Sequence, residues 1–107
     1  MTLEEFKGGL LSLPFPVRHM RAGVEDECPV LCWQELRDST LWGDNEPVAL
    51  ITNIQLDYFT SEEYDSAPDA VEACITALGC SWVCAGQGFD PDREEWVTTW
   101  TVQFFGD

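Results

Sequence analysis

The chain has 107 residues, of which 45% are hydrophobic and 12% aromatic, with five tryptophans. That suits one domain, 1–107, able to bury roughly two-thirds of the surface its unfolded form exposes, so wholesale disorder is excluded. Twenty acids against five bases give a net charge of −15, which disfavours adhesion to nucleic-acid phosphates or to anionic lipid.

Thr2-Leu3-Glu4-Glu5 has the hydroxyl-then-Glu spacing of a capping box, and Leu3, Phe6 and Leu10 share a helical face. Gly8 and Gly9 weaken the turn, and Pro14 and Pro16 stop it, which predicts a helix over about 2–12. "PVRHMRA" reads as a short strand, "EDE" as a turn and "CPVLCWQELR" as a second strand. "DSTLWGDNEP" is expected to be a loop, with Gly43-Asp44-Asn45 as turn chemistry and Pro47 at its end. Two readings of its apolar pair stand: Leu41 and Trp42 dock on a neighbour, or Trp42 folds back on its own core. As a candidate subunit or partner interface the segment contributes Leu41, Trp42, Asp44 and Asn45.

"VALITNIQLDYFT" alternates clearly enough for a strand, with Val48, Leu50, Ile54, Leu56 and Tyr58 on one face and Asn53, Gln55 and Asp57 on the other. A second helix is expected from Ser66, with Asp69 in the Glu place of a capping box, Pro68 in the first turn and Gly79 as C-terminal cap. "CSWVCAG" reads as a fourth strand, "QGFDPDRE" as a turn, and "EWVTTWTVQFF" as a fifth strand whose Trp96, Thr98, Trp100, Val102 and Phe104 share a face. The expected fold is α+β, in the order α-β-β-β-α-β-β: a mainly antiparallel or mixed sheet of four to five strands, with both helices on one face.

The chemistry is thin. Glu62, Glu63, Asp65 and Asp69 fall where a strand gives way to a helix, and acids at a helix N-terminus gain a few tenths of a kcal/mol each in full contact with water. No Lys, Arg or His lies between Arg37 and Arg93 to make a catalytic partner. Cys28/Cys32 and Cys80/Cys84 have a spacing permissive for zinc, but neither pair sits in a Gly-rich knuckle and His19 is not beside them. Residues four apart share a strand face, so each pair is expected to point inward. An odd count of five cysteines argues for reduced thiols. Neither the acidic N-terminus nor the longest uncharged run, Ala73 to Phe89, reads as a secretion signal or a membrane span. The expectation is a metal-free and cofactor-free, non-enzymatic protein, soluble and intracellular at synthesis.

The order of "TLEEFKGGLLSL", "PVRHM", "CPVLCWQE", "WGDNEPV", "IQLDYFT", "PDAVEACITALG", "CSW" and "WVTTWTVQFF" resembles the tail terminator, or tail completion, proteins of long-tailed bacteriophages. The five cysteines, extra tryptophans and unusually negative charge depart from that pattern. The resemblance implies a structural virion protein, assembled in the host cytoplasm, that forms a homo-hexameric ring on the head-proximal end of the tail. Such a ring stops further addition of tail tube protein and presents a joining surface to the head connector or stopper protein. DNA passes through its lumen without specific binding, and no membrane is involved. The acidity suits such a lumen, along which DNA would slide without adhering. The alternative from another class is an acidic DNA mimic that inhibits a nucleic-acid-binding host protein.

Overall fold

The computed structural model describes residues 1–20 and 28–106. Its element order is α1 (Leu3–Leu10), β1 (Val17–His19), β2 (Val30–Glu35), β3 (Ser39–Gly43), β4 (Glu46–Thr60), α2 (Ala67–Ala77), β5 (Ser81–Asp90) and β6 (Glu95–Phe105). The α+β class agrees with the sequence, but the sheet has six strands, not four or five, and the order is α-β-β-β-β-α-β-β. Its strands run β1-β2-β4-β6-β5, with β3 on the first part of β4, and β1–β2 is its parallel pair. The turn expected at "EDE", with Arg21 and Ala22 of the first expected strand, lies outside the described residues.

α1 starts as its sequence dictates: the Glu5 N–H donates to Thr2 Oγ1 at 3.1 Å and the Thr2 N–H donates to Glu5 Oε1 at 3.2 Å. Its Phe6 and Leu10 join Val71 and Ile75 of α2 in one core with Leu31, Trp33, Ile54, Leu56, Trp100 and Val102. Phe6 stacks on Phe104 with centroids 5.3 Å apart and meets Trp33 edge-on at 6.3 Å. Gly9 lets the helices approach, because a Cβ there would fall 2.5 Å from Leu78 Cδ2. The fully buried Trp100 still needs a partner for its indole N–H, and Glu72 Oε2 accepts it at 2.9 Å.

Three expectations are corrected. The segment 38–47 is not a loop but contains β3, paired with the start of β4 through a two-residue turn at Asp44 (φ 52) and Asn45 (φ 65). Positive φ at both central residues is the type I′ geometry whose twist matches a hairpin, so the residues read as loop signals are hairpin signals. "QGFD" continues β5 with Gly86 and Gly88 in paired register, a bulge leaves Ala85 as the extra residue, and the turn shrinks to 91–94. Val48 and Leu50 alternate as expected but lie beyond the core, at 61% and 44% exposed, while Ile54, Leu56 and Tyr58 are buried.

Candidate functional site

The hairpin expected to be a loop is the most unusual surface of the molecule. β2 reaches β4 no further than Ile54, and β6 no further than Ile51, opposite Phe105. Glu46–Leu50 and β3 therefore continue as a two-stranded arm, in a molecule whose principal extents are 49 × 25 × 23 Å. A lone two-stranded ribbon is marginal in water, so the arm depends on its turn and on its root.

Both are built in. Asp44 and Asn45 tolerate the left-handed backbone that the turn requires. The register shifts between Leu41 and Trp42, which leaves Val48 as the extra residue of a bulge. At the root, Asn53 is 6% exposed and fully used: its Nδ2 donates to the Arg37 carbonyl at 3.0 Å and to Ser39 Oγ at 2.8 Å, and its Oδ1 accepts from Gln103 Nε2 at 2.8 Å. Its carbonyl also accepts the Leu36 N–H at 2.8 Å. One buried amide thus fixes the direction in which the arm leaves the sheet.

The arm is apolar where a water-facing ribbon should not be. Trp42 is 63% exposed, Val48 61%, Leu41 45% and Leu50 44%. The pairings Thr40–Leu50 and Trp42–Pro47 share one face, and Leu41–Ala49 lies on the other. Covering the Trp42 indole alone would gain on the order of 2–4 kcal/mol from its apolar area. Of the four residues expected to form an interface, Leu41 and Trp42 are exposed on the strand of the arm, whereas Asp44 and Asn45 are turn formers at the tip. Val48, Leu50 and Asn53 were not in that set. In the sequence Asn53 was indistinguishable from Gln55 and Asp57 on the polar face of the same strand.

The acidic elbow resolves differently. Asp65 is half-buried and accepts from the Tyr58 hydroxyl at 2.7 Å, the Thr60 hydroxyl at 2.8 Å and the Ala67 N–H at 2.8 Å. Burial alone would raise its carboxyl, but the three donors together outweigh that and hold it below the usual carboxylate range. The Tyr58 hydroxyl is pushed up, first by burial and then by this carboxylate. The expected cap is thereby corrected: Ser66 makes no side-chain capping bond, and Asp65 binds the first N–H of α2 in its place. Beside the elbow lies a cleft of ≈ 370 Å³ lined by Glu62, Glu63, Tyr64, Gln87 and Trp96 among others. Thr60 pairs with Trp96 and Asp90 with Glu95, so the elbow and the acidic β5–β6 turn occupy one end of the sheet.

His19 Nε2 lies 2.7 Å from Glu35 Oε2, and the imidazole stacks on Trp33 with centroids 4.1 Å apart. That hydrogen bond holds the Glu35 carboxyl below its usual range, and both side chains are well exposed. Cys32 and Cys80 are buried, but Cys84 is exposed, so the second C-x3-C pair does not point inward as expected. Burial, reinforced by Cys74, pushes the Cys80 thiol up to about 11. Among the described residues no three His, Cys, Asp or Glu side chains gather as metal ligands, and no helix is long and apolar enough to cross a membrane. Compared with known proteins, the chain matches no family model, and no curated sequence matches it.

Proposed function

We propose that this chain is a structural, non-enzymatic subunit that closes the head-proximal end of a bacteriophage tail as a homo-hexameric ring. The observation that carries the reading is the projecting arm with its four large exposed apolar side chains. Exposed apolar side chains concentrated on one arm mark an interaction surface, and a pinned two-stranded arm is a device for reaching a neighbour. In this role the arms hold adjacent subunits, the ring ends tube polymerisation, and its outer face joins the tail tube to the head connector. The acids keep the passing DNA from adhering. With −15 per chain, subunits repel at low ionic strength, so ring closure improves with salt as screening shortens to about 8 Å.

The test is a phage from which the gene is removed. Tails of abnormal length, or tails unattached to DNA-filled heads, are the expected outcome. Normal tails joined to heads overturn the reading. The concentration of acids at the elbow end favours a second reading, a DNA mimic that fills a basic groove on a host protein. That reading requires a monomer or dimer binding a basic protein with steep salt dependence.

A further inference from the structure

Homotypic assembly of so acidic a chain faces a simple restriction: two copies can approach closely only where carboxylates are absent. The structure contains two such places that also carry unpaired backbone. β5 presents Ser81 to Phe89 without a charge, proline or lysine, and nearly all of it is exposed. β3, Ser39 to Gly43, is likewise uncharged. Among the described residues β5 pairs with β6 alone and β3 with β4 alone, so each keeps one free row of N–H and C=O groups.

The edge from Ser81 to Phe89, with none of the usual blocking side chains, is a template for another strand. Its one protective device is the bulge between Cys84 and Gly86. The two free edges lie on opposite sides of the sheet, β5 beyond β6 and β3 on the flank of β4 that also carries β2. Joining them between copies is heterologous, head to tail, and such contacts make a ring when the rotation closes.

We propose that the arm of one copy adds its β3 strand along the β5 edge of the next copy, so that the sheet continues from subunit to subunit. The proposal rests on the ring reading and supplies its contact. Leu41 or Trp42, whichever lies on the matching face, then meets the exposed Val83 of the neighbour, and the paired apolar side chains leave water together. A basic partner is the poorer occupant of this edge, because it would be drawn to the acidic end of the sheet.

Native Cys84, exposed on β5, makes the pairing measurable. Cysteine is introduced in turn at Thr40 and at Leu41, which occupy opposite faces of β3, and the full-length protein is concentrated in physiological salt and mildly oxidised. Peptide mass mapping then locates the bonds. One of the two variants is expected to link its new cysteine to Cys84 of another chain in most molecules, as a ladder ending at a closed oligomer. Adding Cys84→Ser should abolish the ladder, and Val83→Glu should prevent assembly without unfolding the monomer. Oligomers lacking this bond, or a Cys84–Cys84 link between two β5 edges, would overturn the pairing and leave the ring reading standing. A chain that stays monomeric at every salt concentration overturns both.

Discussion

Replacing Asp65 by alanine asks whether the acidic elbow is architecture. The substitution removes one carboxylate and three hydrogen bonds, at 2.7, 2.8 and 2.8 Å. Loss of the bond to Ala67 is loss of a helix cap, worth about 1 kcal/mol. The Tyr58 hydroxyl belongs to a residue only 1% exposed, and leaving such a group unsatisfied costs about 1–3 kcal/mol. Thr60 is 6% exposed but has a further partner, since its Oγ1 also accepts the Glu62 N–H at 3.2 Å. The sum is about 2–4 kcal/mol, a large share of the 5–15 kcal/mol typical of a domain. Urea unfolding at neutral pH measures it. Tyr58→Phe should lose less, because it removes donor and demand together, and the double variant should be less destabilised than the sum of the singles.

The pH dependence has a fixed sign. The carboxyl of Asp65 titrates below its ordinary value of 3.8 in the folded protein. Its bonds therefore contribute fully above roughly pH 4 and are lost as the pH falls through the folded value. The Asp65→Ala variant should be less stable at pH 7, and its difference from wild type should shrink in acid. A variant within about 0.5 kcal/mol of wild type at pH 7, with an unaltered acid limb, would refute this account of the elbow.

Trp42→Ala should abolish assembly while moving the monomer's stability by no more than about 0.5 kcal/mol, because the side chain is 63% exposed; equal loss in sedimentation and in urea unfolding would place Trp42 in its own core. Asn45→Val puts a β-branched residue at φ 65 and should weaken the arm by about 1–2 kcal/mol, read as a roughly 5- to 30-fold loss of amide-exchange protection across β3, whereas Asn45→Gly should leave protection intact. Elemental analysis of the purified protein should find far less than one zinc per chain; stoichiometric zinc whose chelation unfolds the protein would contradict the reading of the C-x3-C pairs.

Local chemistry was legible wherever one residue's own preference decided the outcome. The capping box of Thr2 and Glu5, the glycine at Gly79 with φ 85, and the alternation of Trp96 through Phe104 each specify their element through neighbours in sequence, and each is present. The segment around Asp44 and Asn45 was ambiguous for a physical reason. Residues that tolerate positive φ serve open loops and type I′ hairpins alike, and the distinction lies in whether β4 is extended enough to pair with what precedes the turn. Ser66 was read as the cap of α2, but Asp65 takes that place because Tyr58 and Thr60 supply further donors from β4 that hold its carboxylate.

Exposure depends on where neighbouring strands end, and a periodic pattern carries no such information. Val48 and Leu50 follow the same alternation as Ile54 and Leu56, yet they stand in water because β6 stops opposite Ile51 and β2 opposite Ile54. The uncharged run from Ala73 to Phe89 was visible in sequence as a composition. Sheet order alone turned its second half into a free edge, because β5 enters beyond β6 and nothing among the described residues pairs with its outer side. The sequence by itself determined the helices, the apolar stripes and the acidity. The tertiary structure decided which apolar residues form core and which form an arm, since burial is a property of what lies opposite a side chain and not of the side chain itself.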